Sequence, residues 1–202
     1  MRPDRQARPE YVGAFREIAA RIASSLTDTP KRLLPIRMFV AGGAALHLYT
    51  GARISHDIDA AFSSRIALPD DLQVGYDDAD GAGRLLYFDR QYSDSLALLH
   101  EDASEDSVPL ELEGIDPDVL DVRLLTPVDL AVSKLGRFST QDRDDIAALA
   151  QRKLIDSAAL RRRAEEALVS FVGDTQRVRG SIDIACRIID DARARVRKRR
   201  KS

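Results

Sequence analysis

The sequence predicts an α+β fold, in which a mixed β-sheet with flanking helices is followed by a helical C-terminal part. Short apolar stretches typical of strands are concentrated between residues 36 and 124. From Thr126 onward, apolar residues instead recur at helical spacing. Strands and helices do not alternate regularly after residue 84, which argues against a parallel doubly wound fold. We therefore expect an α/β core with an N-terminal helix over 1–125 and a helical region with a basic tail over 126–202.

The composition is that of a globular protein with its own core. The chain has 202 residues, of which 44% are apolar and 32% charged. The only cysteine, Cys186, has no partner for a disulfide, and one thiol is too few for a cysteine-built zinc site. No apolar run approaches the roughly 20 residues that span a bilayer, and the start MRPDRQARPE lacks the apolar stretch of a secretion signal. We expect a cytoplasmic protein without a membrane segment.

Charge is distributed unevenly along the chain, although the net charge is only -2. Residues 66–121 contain 16 acidic and two basic residues, whereas residues 193–201 contain seven basic residues and no acid. The basic tail would contact RNA phosphates or an acidic partner, or it would be a solvated helix end. The sequence leaves these alternatives open.

The first half of the chain predicts one helix, one strand, a short helix and a second strand. Apolar residues recur every three or four positions in the first helix, and the short helix opens at Gly42-Gly43 and ends at Gly51. In the second strand, alternation places Asp57 and Asp59 on one face. The predicted ranges are 11–26, 36–40, 44–49 and 53–62.

The remainder predicts a polar loop, more strands and then helices. The loop covers 68–83, and with the further strands the sheet would contain four to six. Thr126, Pro127 and Asp129 form a helix start, with an N-cap, a proline at the first position and an acid three residues after the cap. The predicted strands are 84–92, 95–101, 108–114 and 119–124; the predicted helices are 126–138, 141–151, 157–171 and 181 to the end.

Two features of residues 40–59 suggest chemistry on phosphates. A glycine pair at a helix start allows a phosphate to approach unpaired backbone N–H groups. Asp57 and Asp59, about 6.7 Å apart along a strand, can hold one or two cations. Magnesium favours a couple of carboxylates together with water and phosphate oxygens. Each feature alone is common in turns and solvated strands, but their combination within a short segment predicts a nucleotide site.

The segments VAGGAAL (40–46) and RISHDID (53–59) resemble the signature of the polymerase-β-like nucleotidyltransferase superfamily, a glycine pair followed by two acids two residues apart. The segments LTPVDLAVSKLGRF (125–138) and DRDDIAAL (142–149) resemble the helical part of small bacterial members near the AbiEii-type toxins of toxin–antitoxin pairs. The resemblance implies a nucleotidyltransferase-like sheet and metal-dependent transfer of a nucleoside monophosphate from an NTP.

The resemblance also implies roles for individual residues. Gly42 and Gly43 would contact the phosphates, Asp57 and Asp59 would bind Mg²⁺ or Mn²⁺, and Lys134 would face the triphosphate. Lys134 would otherwise be a surface lysine between packed turns. Arg53 and Ser55, on the strand face of the two aspartates, are the other candidates for nucleotide contact, and Arg53 would neutralise a phosphate or pair with an aspartate.

The position of a third carboxylate departs from the family pattern. The aligned residue is Ala97, and we predict Glu101 or Asp102 as metal ligands in its place. Asp89 and Glu111 are nearby substitutes of different strand parity. If no third acid reaches the site, the chain would bind nucleotide without turning it over.

Other polar residues have structural interpretations. Asp142 to Asp145 are expected to cap a helix and to pair with Arg137 or Lys134. His47 is expected to face out from its helix and His56 to point away from the aspartates. His100 is expected at the edge of a site or in a satisfied core or rim position.

Three functions remain open from the sequence. The first is a nucleotidyltransferase that modifies RNA such as a tRNA end, a protein hydroxyl or a small molecule, in one version as a toxin with an antitoxin protein as partner. The second is a nucleotide-binding or regulatory protein of the same fold with weak or absent catalysis. The third is an interaction protein whose acidic loop and basic tail bind partners. Base preference, acceptor and oligomeric state are not determined by the sequence.

Overall fold

The computed structural model of the protein describes residues 1–93 and 97–199, and it confirms the predicted α+β class. The chain forms two compact units. The first contains residues 1–93 and 107–125, and the second contains the described parts of residues 94–106 and 126–202. The glycine pair and the two aspartates therefore lie in one unit.

The strands of the first unit form two mixed sheets, not the single sheet that the sequence predicted. One sheet has the strand order β3-β1-β7-β6, and the other has the order β2-β5-β4. In the first sheet β1 runs parallel to β7 and antiparallel to β3. The strands are β1 Ile36–Val40, β2 Asp57–Ile58, β3 Ala60–Phe62, β4 Gln73–Asp77, β5 Gly83–Phe88, β6 Val108–Pro109 and β7 Leu120–Leu124.

The predicted continuous strand over 53–62 is wrong. Its described strands are β2 and β3, which belong to different sheets, and Asp59 lies between them. The carbonyl of Asp59 accepts a hydrogen bond of 2.8 Å from the N–H of Ala41. Asp59 is thereby held beside the end of β1, where the chain turns into the glycine pair.

Two further strand predictions need correction. The predicted loop 68–83 contains β4, which pairs with β5 across a tight connection in which Gly81 has φ 77°. The open face of β4 is polar, so apolar alternation was weak there. The predicted strand 95–101 falls partly outside the described residues, and its described part contains no strand but enters a three-ten turn at Glu101–Ala103.

Helix α1 (Pro9–Ser25) buries one side on the first unit's β4 and β5, as its periodicity predicted. Its fully buried residues include Tyr11, Phe15 and Ile18. Burial of such side chains contributes about 1.5–3 kcal/mol each relative to exposure. Because α1 covers only one face of the β2-β5-β4 sheet, the other face keeps exposed side chains such as Leu85 and Tyr87.

The second unit is helical, as predicted. Its last helix starts earlier than the predicted residue 181 and packs on α4 and α5 through a row of buried apolar residues. The helices of this unit are α3 Pro127–Ser133, α4 Thr140–Gln151, α5 Ser157–Ala167 and α6 Thr175–Arg199. In the described part of the chain, we find no helix with the length and apolarity that a membrane span requires.

Candidate active site

The start of α2 (Gly42–Thr50) is built around two glycines that contact the predicted acidic strand. Gly42 has φ +59°, a conformation that favours glycine. A β-carbon at this position would overlap Oδ2 of Asp59 and lie 2.8 Å from its Cγ. The Asp59 carboxylate therefore lies against the first backbone atoms of the helix, in space that only a glycine leaves open.

Gly43 makes a second close approach. A β-carbon built there would lie 2.5 Å from Oγ of Ser55 and 2.9 Å from a guanidinium nitrogen of Arg53. The N-cap residue Ala41 supplies no side-chain hydrogen bond to the first turn of α2. The mouth of the helix thus combines backbone N–H groups, a partial positive charge and a nearby guanidinium.

Ser55 connects this mouth to the second aspartate. Its Oγ donates a 2.5 Å hydrogen bond to Oδ1 of Asp57. Asp57 and Asp59 are both half-buried, whereas Ile58 between them is in the core. The structure therefore brings together the glycine pair, Arg53, Ser55 and both aspartates, and their roles in binding stay predictions.

His47 is buried, so the expectation that it faces outward is wrong. Its Nε2 accepts a hydrogen bond from the N–H of Arg8, and its Nδ1 lies 3.1 Å from the carbonyl oxygen of Ala52. Burial lowers the pKa of His47, which favours the neutral ring with the proton on Nδ1. This ring fixes the loop that leads from α2 to Arg53 and Ser55.

Tyr11 lies in the interior next to the same cluster. Its ring centroid is 4.6 Å from that of His47, and its hydroxyl has no hydrogen-bond partner among the described residues. Burial, and then the neighbouring Tyr76 and Asp57, raise the pKa of Tyr11, so the phenol remains neutral. Periodicity had indicated a core residue, but only the fold shows a buried hydroxyl close to the acidic cluster.

Asp89 follows β5 at the point where the ladder with β2 brings its backbone next to Ile58 and Asp59. In the parallel pairing of β2 with β5, Asp57 is opposite Tyr87 and Ile58 is opposite Phe88. The ladder continues, because the N–H of Asp89 donates to the carbonyl of Ile58 at 3.1 Å. The Asp89 side chain is half-buried, and its Oδ1 accepts the N–H of Gln91. The sequence offered Asp89 only as a substitute of different strand parity, because the pairing of β5 with β2 was not readable from it.

The predicted third ligands Glu101 and Asp102 belong to the second unit. They are exposed in the three-ten turn that follows His100, whose ring accepts the N–H of Asp102. Within residues 1–93 and 97–199, no group of three or more histidine, cysteine or acidic side chains has an arrangement suited to a metal ion.

Lys134 also belongs to the second unit, where it is buried and not a surface residue. Its Nζ donates a 2.7 Å hydrogen bond to Oδ2 of Asp145 on α4. Asp142 on the same helix pairs with Arg137 and completes a capping box with Ser139. Both ion pairs were predicted from the sequence.

The structure brings the glycine-opened start of α2 together with Asp57 and Asp59, the elements of the nucleotidyltransferase signature that the sequence resembles. The comparison with protein families agrees. The chain belongs to a family described as a nucleotidyltransferase of unknown function (DUF6036), whose model matches residues 14–186. No curated protein and no solved structure gave a match. The AbiEii-type likeness is not part of what the family match shows.

Proposed function

We propose that the protein is a magnesium-dependent nucleotidyltransferase that transfers a nucleoside monophosphate from an NTP to an acceptor. The observation that carries this proposal is the contact of Gly42 with the Asp59 carboxylate, together with the Ser55 hydrogen bond to Asp57. Phosphate oxygens at the helix mouth and metal ligands on the strand would then be within reach of one another.

The residues present fit the metal that this reaction needs. Asp57 and Asp59 supply hard carboxylate oxygens, which Mg²⁺ or Mn²⁺ prefers over nitrogen and sulfur. When bound, a divalent ion would neutralise charge on the triphosphate and on the oxygens of the transfer. The Ser55 hydroxyl orients the Asp57 carboxylate, and the Gly42 and Gly43 amides would contact the phosphates.

On this proposal, Asp89 is the third carboxylate that members of the family usually add. Its backbone is held next to Asp59 by the β2–β5 ladder, and residues in register share a face of the sheet. The described residues contain no three acidic side chains arranged for a metal, so the Asp89 side chain would have to release the N–H of Gln91 and turn to join Asp57 and Asp59. Glu101 and Asp102, predicted earlier, remain the alternatives to Asp89.

The role of Lys134 stays a prediction from the resemblance. Its Nζ bonds to Asp145, so a phosphate would have to share the ammonium group, which has three donors. Lys134→Met in transfer assays tests the role. The prediction is lost if transfer per folded molecule is unchanged.

The direct test is transfer of label from each α-³²P NTP, with Mg²⁺, to total RNA or lysate protein. We expect Asp57→Asn and Asp59→Asn to reduce transfer by a factor of about 100 or more, because each removes charge at the reacting phosphate. The matched control is Asp70→Asn, an exposed aspartate of the same unit. Equal transfer by all of these variants would contradict the proposal.

A second candidate, nucleotide binding with weak or absent catalysis, is favoured by one observation. The described residues contain no three-carboxylate group arranged for a metal. This candidate predicts that NTP and Mg²⁺ raise the melting temperature, because a ligand of the native state stabilises it by mass action, while no label is transferred.

The acceptor and the biological role extend the proposal. We infer an RNA acceptor, such as a tRNA end, from the basic residues of α6 that follow Ala192, the last residue of the helix whose side chain is described as buried. A toxin role with an antitoxin partner rests on the AbiEii resemblance. It predicts growth arrest on expression of the chain but not of Asp57→Asn at equal protein level.

A further inference from the structure

The β2-β5-β4 sheet has one buried and one open face. Ile58, Leu86 and Phe88 point into the core, whereas the intervening residues of β5 do not. Leu85 is 46% exposed and Tyr87 is 41% exposed. Large exposed apolar side chains next to a charged cluster are a feature that stability alone does not explain.

Strand register places this surface beside the candidate site. Tyr87 is the direct partner of Asp57 in the parallel pairing of β5 with β2. Neighbouring strands lie about 4.8 Å apart, and residues in register share a face, so Tyr87 and Asp57 are lateral neighbours. The aromatic ring therefore stands one strand away from a predicted metal ligand.

No side chain stands beside Leu85 on the neighbouring strand β4. Leu85 is paired with Gly75 on β4, and Tyr87 is paired with Gln73. A β-carbon built on Gly75 would meet nothing nearer than the carbonyl oxygen of Arg84, at 3.9 Å. Because neither crowding nor a positive φ demands glycine at residue 75, its effect is to leave the Leu85 side of the sheet uncovered.

We propose that Tyr87 and Leu85, with Gly75 beside them, form a stacking floor for a nucleobase; this rests on the proposed function for the identity of the neighbouring phosphate site. In a nucleotide, one sugar separates the phosphates from the flat base. The start of α2 would face the phosphates, Asp57 lies next, and the floor formed by Tyr87 and Leu85 lies beyond it, where the base would be. Aromatic side chains stack on any base, since every base has a π face. The base would be that of the incoming NTP or the terminal base of an RNA acceptor.

Calorimetric titration with Mg²⁺ tests the first source, using each NTP and, as a ligand without a base, inorganic tripolyphosphate. Tyr87→Ser is expected to weaken NTP binding by roughly 5- to 150-fold, the range of one base stack, and to leave tripolyphosphate binding unchanged. Tyr87→Phe keeps the ring and should bind like the parent protein. Leu85→Ser should weaken binding less, and the matched control Leu154→Ser, exposed to a similar degree in the second unit, should have no effect.

The second source is tested with single-stranded oligoribonucleotides and the same oligomers made abasic at the 3′ end. If Tyr87→Ser lowers the affinity for NTPs alone, the floor binds the donor base. If it lowers the affinity for intact oligomers alone, the floor binds the acceptor base. The inference is overturned if Tyr87→Ser changes neither, if the parent protein binds no nucleobase ligand, or if tripolyphosphate binding falls equally. Tyr87-dependent base binding without any Asp57-dependent transfer would refute the enzymatic proposal but keep the floor.

Discussion

Two acidic clusters of this protein differ in what surrounds the carboxylates. In the second unit, Asp129, Asp142 and Asp145 are almost fully buried, and each is bonded to an arginine or a lysine. In the first unit, Asp57 and Asp59 are half-buried and lie against a hydroxyl and a glycine turn. The buried carboxylates of the second unit maintain the fold through these bonds, whereas the half-buried pair beside the start of α2 is the pair for which we propose a ligand.

The largest expected effect separates activity from stability in the first cluster. On the proposed function, Asp59→Asn should reduce nucleotidyl transfer by about 100-fold or more, because it would remove charge at the metal and the phosphate. It should change the free energy of unfolding by less than about 1 kcal/mol, since the amide keeps the size of the side chain. Urea denaturation measured alongside the transfer assay checks both. A large loss of stability would place Asp59 with the structural carboxylates.

In the second cluster, we expect a large loss of stability when a carboxylate is replaced. Asp145→Leu leaves the ammonium group of Lys134 buried without this partner, which should cost about 3–5 kcal/mol of unfolding free energy. The double variant Lys134→Met/Asp145→Leu removes both charges and should recover much of that loss. Urea denaturation of the single and double variants measures the difference. If the double variant is no more stable than the single, the ion pair is not the cause.

Gly42 tests whether transfer activity and stability depend on the same position. Gly42→Ala should cost about 1–3 kcal/mol of stability, since φ is +59° and the added carbon would displace Asp59. It should also abolish most transfer activity at temperatures where the variant is folded. Gly81→Ala, at φ +77° with no atom within 4 Å of the added carbon, is the control for backbone strain alone. Equal loss of activity in both variants would argue against a specific contact with Asp59.

The smallest expected effect is a dependence of stability on pH. Burial causes it at His47 in the first unit, and hydrogen bonds to the charged form cause it at Asp142 in the second. The pKa of His47 is lowered, so the unfolded chain binds the extra proton and stability falls as the pH drops below about 6.5. Burial raises the pKa of Asp142, but the bonds from Arg137 and Ser139 outweigh it and hold the pKa at about 2. The stability it contributes is present above the usual value near 3.8 and is lost as the pH falls toward 2.

Urea midpoints between pH 7 and pH 2 check this dependence. His47→Gln should flatten the profile between pH 7 and pH 5, and Ser139→Ala should reduce stability at pH 7 by about 1 kcal/mol through loss of the cap. A profile for His47→Gln that matches the parent protein would show that His47 is not responsible.

Much of the architecture was readable from residue patterns. Thr126, Pro127 and Asp129 mark the start of α3 where the structure has it, and Gly51 ends α2 in the left-handed conformation. These signals are local, because caps and glycine turns act on backbone groups a few residues away. The motif of glycines and aspartates likewise indicated that the two would lie together.

Other features failed because they depend on partners distant in sequence. The segment 53–62 alternates like one strand, but β2 pairs with β5 and β3 pairs with β1. The strand β4 was predicted as a loop because its intrinsic pattern is weak. Its pairing with β5 makes it a strand all the same. His47 was placed outward because the covering residues, Arg8 and Tyr11, come from another helix and the segment before it.

The sequence by itself determined the α+β class, the helical second part and the pairing of a glycine turn with two acids, because each depends on periodicity or on neighbours within about 20 residues. Only the tertiary structure decided that Asp89 and Tyr87 stand beside the aspartate strand. Sheet register joins residues about 30 positions apart, and no local pattern specifies which strand a given strand will pair with.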